Sequence, residues 1–270
     1  MYSIQDSIEK TDFPHIILEK PEILCVIPSR LASTRLLEKP LALIRGKPLV
    51  QWVYESALAC SIFSKVIVAT DDERVANALP TTAHVELTPS SLPTGTDRVA
   101  AVASLFPQYE VVVNFQGDTP FVPAEVMETL VAPYLEGEMP DLATLCCPLD
   151  PADYANPNSV KVITNYKNNA LYFSRAPIPY FRAPWEEVLR NNAQAPFPVR
   201  HHLGLYAFRR NFLLDYPFLP QGILEQVESL EQLRALEHGY QIRVSEIPYK
   251  VYEVNTPEDL AAAQNWGTIA

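Results

Sequence analysis

Short apolar runs rich in β-branched residues alternate, over the first 150 residues, with segments whose apolar positions recur every three to four residues. The runs at 23–27, 66–70, 111–115 and 142–147 read as strands buried on both faces, because they are continuously apolar and do not alternate with polar residues. The segments 48–60, 72–79, 95–105 and 123–135 read as helices, the first opened by Pro48 and the second by an acidic turn. This βαβα rhythm predicts an α/β fold, an open and mostly parallel sheet with helices on both faces. Ligands of such sheets bind beyond the C-terminal strand ends.

The rhythm changes after Asp150. Segments 160–164, 170–174 and 202–208 read as strands with little helix between them, and 181–198 reads as a long loop. A helix over 227–238 stops at Gly239, a strand follows at 242–247, and Pro257 opens a last helix over 257–263. The expected organisation is an extension over 1–22 and a single domain over 23–270. Within that domain 23–150 forms the main sheet, 151–210 a smaller antiparallel subregion, and 211–270 returns to the main sheet.

Three polar clusters fall at predicted strand ends: 29–35, 70–72 and 116–118. In the first, Arg30, Arg35 and Lys39 surround the hydroxyls of Ser33 and Thr34. Fixed cations with hydroxyl and backbone donors are what a polyphosphate requires. Neither GxxxxGK[ST] nor GxGxxG is present, so this is neither a P-loop nor a dinucleotide fingerprint. At 116–118, Gly117 permits a tight turn with Asp118 at its tip. Asp118 can hold Mg²⁺, which takes few protein oxygens, or it can bond its own backbone as a turn residue.

Composition narrows the partners. The net charge of −11 argues against a nucleic-acid surface and concentrates interest on the local cations. No apolar stretch is long enough to span a bilayer. Residues 1–20 do not pattern as a signal peptide. The four cysteines, Cys25, Cys60, Cys146 and Cys147, form no CxxC pair and read as reduced core residues of a cytoplasmic protein.

The motifs IPSRLASTRLLEKP, VATDDERV, LPTGTDRV, VNFQGDTP, LYFSRAPIP, HHLGLYAF, LEQLRALEHG and VNTPEDL occur in this order. The chain from Ile23 onward resembles the 3-deoxy-manno-octulosonate (Kdo) cytidylyltransferases of bacterial lipopolysaccharide synthesis. The resemblance implies a nucleotidyltransferase fold and a Mg²⁺-dependent reaction of CTP with Kdo, an acidic eight-carbon sugar, giving CMP-Kdo and pyrophosphate. It also implies a homodimer, with 23–150 mainly binding CTP and the antiparallel subregion 151–210 serving the sugar and the dimer interface. By the same resemblance Arg30, Arg35 and Lys39 hold the phosphates. Thr94, Gly95, Thr96 and Arg98 seat the nucleotide, and Asp118 and Asn255 take the metal. Gln116, Arg175, His202, Glu231 and Gln232 face the sugar, with Arg175 meeting its carboxylate.

Three motifs depart from the family pattern, the first also at Leu37, where proline is usual. Glu38 stands where glycine is usual, Thr119 where glutamate is usual, and Asn255 where aspartate is usual. Glu38 adds negative charge beside a triphosphate site, and Asn255 keeps a carbonyl oxygen but loses a charge, which predicts weaker metal binding. Alternatives within reach of the sequence are an amino analogue of Kdo as substrate, a weakly active homologue, or a cytidylyl- or uridylyltransferase of another sugar.

Overall fold

The structure, a computed structural model, describes residues 20–33, 35–184, 187, 197 and 199–266. Most of the 1–22 extension, Thr34 and most of the loop expected at 181–198 lie outside the described residues. In chain order the strands are β1 (Ile23–Pro28), β2 (Leu43–Ile44), β3 (Lys47–Pro48), β4 (Lys65–Thr70), β5 (Val85–Leu87), β6 (Val111–Asn114), β7 (Leu142–Pro148), β8 (Lys161–Thr164), β9 (Ala170–Ser174), β10 (Arg200–Arg209) and β11 (Ile242–Glu246). The helices are α1 (Leu49–Leu58), α2 (Glu73–Asn77), α3 (Gly95–Ser104), α4 (Ala124–Leu135), α5 (Arg210–Asp215), α6 (Ile223–Glu228), α7 (Gln232–Glu237) and α8 (Pro257–Ala263).

The main sheet runs β11–β7–β10–β6–β1–β4–β5. All its pairings are parallel except those of β10 with β6 and β7. Successive residues of β1 point to opposite sides. Ile23, Cys25 and Ile27 join the core built with α1 and α4, while Leu24 and Val26 join the one built with α3 and α5. Helices on both faces explain why the strand is apolar without alternation. The four cysteines are free and buried.

One expectation is borne out in a particular form and one needs correction. The smaller antiparallel subregion is present and is continuous with the main sheet. β10 spans ten residues; its second half lies between β6 and β7, and its first half extends to pair with β8, which in turn pairs with β9. The helix expected over 227–238 is two helices, α6 and α7, broken at Ser229, whose backbone is left-handed (φ 53). Tertiary bonds cause the break. The Glu228 carboxylate accepts from the Ser174 hydroxyl (2.5 Å) and the Arg175 backbone N–H (2.9 Å). The Arg175 guanidinium donates to the carbonyls of Glu228 (2.7 Å) and Ser229 (3.3 Å), which a continuous helix would have used internally.

From β1 the chain moves outward through β4 to β5 and then returns to β6 on the other side of β1. The crevice between β1 and β6 is therefore the topological switch point.

Candidate active site

A cavity of about 290 Å³ opens at that switch point. Its walls come from four places: the loop after β1 (Ser29, Arg30, Ser33, Arg35 and Lys39), the start of α3 (Thr94, Gly95 and Arg98), the turn after β6 (Gln116, Gly117 and Asp118), and Glu231. A larger cavity, about 850 Å³, lies at the opposite ends of β7 and β11. There Arg209 pairs with Asp141 and Arg243 with Glu138, so most of its charge is matched within the wall. The smaller cavity gathers Arg30, Arg35, Lys39 and Arg98 around the start of α3 and Asp118.

Gly117 is there because nothing larger fits. A Cβ on it would meet the Pro28 carbonyl oxygen at 2.6 Å, so the turn after β6 packs backbone to backbone against the end of β1. Thr119 closes this turn by donating its hydroxyl to the Gln116 carbonyl (2.8 Å). Its place in the turn leaves the Asp118 carboxylate free to face the cavity. Lys39 meets Asp118 Oδ2 at 2.7 Å and Asn255 Oδ1 at 3.1 Å, and Arg35 donates to the same Asn255 oxygen at 3.2 Å. The backbone fixes this junction, since Val254 N–H donates to the Asp118 carbonyl (2.8 Å).

Asn255 is oriented from behind. Its Nδ2 donates to Glu253 Oε2 at 3.0 Å, which turns Oδ1 toward the cations. Desolvation raises the Glu253 pKa, and the nearby Asp118 charge raises it further. Asp259, a conceivable substitute ligand, is committed elsewhere. Its Oδ2 accepts from the backbone N–H groups of Asn255 and Thr256 (both 2.9 Å), forming the capping box of α8.

The N-terminus of α3 faces the cavity with a second capping box, Thr94 with Asp97. Free N–H groups and the positive end of the helix dipole suit an anion. Arg98 is almost fully buried, donates to the Thr88 hydroxyl, and stands 3.6 Å from Asp71. Burial lowers its pKa from the ordinary arginine value; Asp71 opposes this and Arg30 adds to it. Thr96 does not line the cavity. It donates to Glu231 Oε2 at 3.0 Å and so holds the one carboxylate on that wall. Packed surroundings raise the Glu231 pKa first, against the Thr96 bond, and its solvent-exposed side limits the effect.

His202 and Gln232 lie behind the wall and do not line it. Thr144 Oγ1 stands 3.0 Å from His202 Nε2, Gln232 Nε2 stands 3.4 Å from His202 Nδ1, and Tyr206 donates to Gln232 Oε1 at 3.2 Å. The Gln232 oxygen is taken by Tyr206, so its NH₂ faces Nδ1. The network therefore assigns the neutral tautomer with the proton on Nε2. Burial pushes the His202 pKa down to about 3. Arg175 is not at the cavity either. Besides the two carbonyls already named it donates to that of Pro157 (3.0 Å), so it braces the turn that precedes Glu231. Arg175 as direct partner of a sugar carboxylate is an expectation its position in this structure does not support.

Sequence reasoning missed two sets of residues. Ser29 Oγ and both side-chain polar atoms of Asn114 are buried with no hydrogen-bond partner among the described residues, at the ends of β1 and β6 beside the cavity. Polar groups left open in this way fit a site completed by water or ligand. Arg234 and Glu225 form a buried bidentate pair (2.6 and 2.7 Å), with the Arg234 guanidinium 4.7 Å from the Tyr216 ring centre. Tyr216 in turn donates to the Glu231 carbonyl (2.6 Å). Ser29, Asn114 and Arg234 lie inside motifs that the sequence singles out, which mark their segments but not their roles; Glu225 lies in none of them.

The cytidylyltransferase family model matches residues 24–244. A 3-deoxy-manno-octulosonate cytidylyltransferase of Acaryochloris marina is 50% identical over 244 residues, covering 90% of this chain and 96% of the relative. The chain belongs to the Kdo cytidylyltransferase family. A second member, from Synechococcus elongatus, is 48% identical over 248 residues, with 91% and 98% of the two chains covered. Among solved structures, a CMP:2-keto-3-deoxy-manno-octonic acid synthetase complexed with CTP superposes with a TM-score of 0.82 at 38% identity, covering 90% of this chain and 97% of that one. A 4-diphosphocytidyl-2C-methyl-D-erythritol synthase of Anaerococcus prevotii shares the fold alone, with a TM-score of 0.60 at 12% identity and 92% and 99% coverage. The switch-point cavity of this cytidylyltransferase is thus the natural place to look for its chemistry.

Proposed function

We propose that this protein transfers the cytidylyl group of CTP to Kdo, forming CMP-Kdo and pyrophosphate at the switch-point cavity. One observation carries the reading: Arg30, Arg35, Lys39, the α3 N-terminus and Asp118 meet in one cavity although they lie far apart in sequence. Arg30, Arg35, Ser33 and Lys39 bind phosphate oxygens, and Thr94, Gly95 and Arg98 seat the nucleotide. Gln116 and Glu231 meet the sugar hydroxyls, with the His202–Gln232 pair holding that wall. The anomeric hydroxyl of Kdo attacks the α-phosphorus; the new P–O bond forms as the bond to the β-phosphate oxygen breaks, and the hydroxyl proton leaves to solvent. The chain contributes orientation and charge neutralisation, not a covalent nucleophile.

Mg²⁺ fits the donor set. Asp118 and Asn255 aim oxygens from two elements at one positive centre, filled in this structure by the Lys39 ammonium. Those two residues would hold the ion, which supplies charge neutralisation to the phosphates. Mg²⁺ needs few protein oxygens and can take its other ligands from phosphate and water. The deciding experiment is pyrophosphate release from CTP with Kdo during a Mg²⁺ titration. Release dependent on both supports the reading; CTP binding without release would leave only a nucleotide-binding homologue.

The working unit we propose is a homodimer. Ile223 and Val227, one turn apart on α6, are 76% and 78% exposed, a pairing suited to a second copy. Ile223→Glu with Val227→Glu is expected to halve the mass measured by light scattering. No described helix is long and apolar enough to cross a membrane. The buried free thiols agree with a reducing compartment, and we place the protein in the cytoplasm with small molecules as its partners.

A further inference from the structure

Glu38 directly precedes Lys39 and has left-handed backbone (φ 49, ψ 38). A carboxylate at that point faces the field of a bound triphosphate. The structure turns it elsewhere: Glu38 does not line the cavity, and its Oε1 accepts from Arg74 NH1 at 2.7 Å. Arg74 is held along its other edge by Asp72, with Nε to Oδ1 at 3.1 Å and NH2 to Oδ2 at 3.0 Å. Asp72 is itself anchored as the N-cap of α2, accepting from the Arg74 backbone N–H at 2.8 Å. The neighbouring Asp71 accepts from Leu31 N–H at 3.2 Å. Residues 71–74, at the end of β4, therefore grip the cationic loop near its start and at its end.

We propose that Arg74, braced by Asp72, is a positioning residue for nucleotide binding, which draws the Glu38 carboxylate away from the triphosphate and fixes the turn that aims Lys39. The inference rests on the CTP reading. Glu38 and Arg74 side chains are 46% and 57% exposed, so the pair does little for stability. Its effect falls on the cavity. Released, the Glu38 carboxylate would lie within a screening length of the phosphates, about 10 Å at 0.1 M salt. The same carboxylate holds the loop in a backbone conformation that glycine adopts without Cβ strain. Asp72 alone could neutralise Arg74; the fork geometry of the guanidinium lets it serve both carboxylates at once.

Calorimetric titration of CTP into the full-length protein, without Kdo, tests this. Arg74→Ala keeps the backbone N-cap bond and is expected to weaken CTP about fivefold at low salt, the upper range for one exposed pair. In steady state the loss should appear in KM for CTP and spare kcat. It should shrink at about 0.5 M salt, where screening is short. Arg74→Lys, which keeps the charge but not the fork, should recover part of the affinity. Glu38→Gly added to Arg74→Ala should recover most of it, because the unmatched carboxylate is gone. CTP affinity unchanged in Arg74→Ala, or a defect that Glu38→Gly leaves in place, overturns the proposal. A parent protein that does not bind CTP at all overturns the functional reading instead.

Discussion

Asn255 is the residue at which sequence and structure diverge most usefully. As a lone substitution for aspartate it reads as a lost charge. In the structure its amide bridges Glu253 behind and the Lys39–Asp118 pair in front. Replacing it with aspartate would set two carboxylates about 3 Å apart, and like charges at that distance cannot both ionise freely. Asn255→Asp alone should therefore change the Mg²⁺ concentration for half-maximal rate by less than about twofold. Asn255→Asp with Glu253→Gln should lower it several-fold, since an anionic oxygen then faces the metal with no opposing charge. Initial rates across a Mg²⁺ series check both. A large gain from the single change would mean that Glu253 has no part in the site. Glu38 teaches the same lesson. Its charge is legible in the sequence, but its partner Arg74 lies 36 positions away and only the fold brings them together.

At the scale of elements, the strands of the first half were readable because burial on both faces leaves a continuous apolar run. The capping boxes at Thr94 and Thr256 were readable in principle because their partners lie three residues away. The break between α6 and α7 was not, since local periodicity carries through Ser229 and the competing bonds come from Arg175. The path of β10 was hidden for a similar reason. Its register shifts between Leu203 and Tyr206, and Thr144 on the neighbouring strand donates into this irregularity, reaching the Leu205 carbonyl at 2.8 Å. The pair α6–α7 is held by Glu225 and Arg234, both about 95% buried. Glu225→Ala should cost about 3–5 kcal/mol in urea denaturation, because it strands a buried guanidinium. Replacing both residues with apolar ones of similar volume should cost much less. Equal losses would mean that packing, not charge, holds the pair.

For the whole molecule, pH reports on the sheet's buried histidines. Burial lowers the His201 pKa to about 4 and that of His202 to about 3, from an ordinary 6.5. The unfolded chain then binds more protons than the native one below pH 6.5, so stability rises with pH in that range. Each neutral histidine contributes its full share above about pH 6.5 and loses it as pH falls toward the folded value; for His201 this is on the order of 3 kcal/mol. The raised carboxyls of Glu231 and Glu253 act in the opposite sense, since the native state holds their protons more tightly. Denaturation midpoints between pH 4 and 8 should fall toward acid, and His201→Gln with His202→Gln should flatten that slope. A profile that the double variant leaves unchanged would assign the acid sensitivity to other groups.

The sequence by itself determined the α/β class, most strand positions, the family, and the cationic loop with Asp118. These follow from local periodicity and from contiguous motifs, which need no knowledge of what lies opposite. Tertiary structure decided which of those groups share a cavity, the tautomer of His202, the bracing position of Arg175, and the partners that turn Glu38 and Asn255 from apparent defects into supported features. Each of these depends on distances between residues remote in sequence, and side-chain charge and hydrogen bonding act only across such distances once the chain has folded.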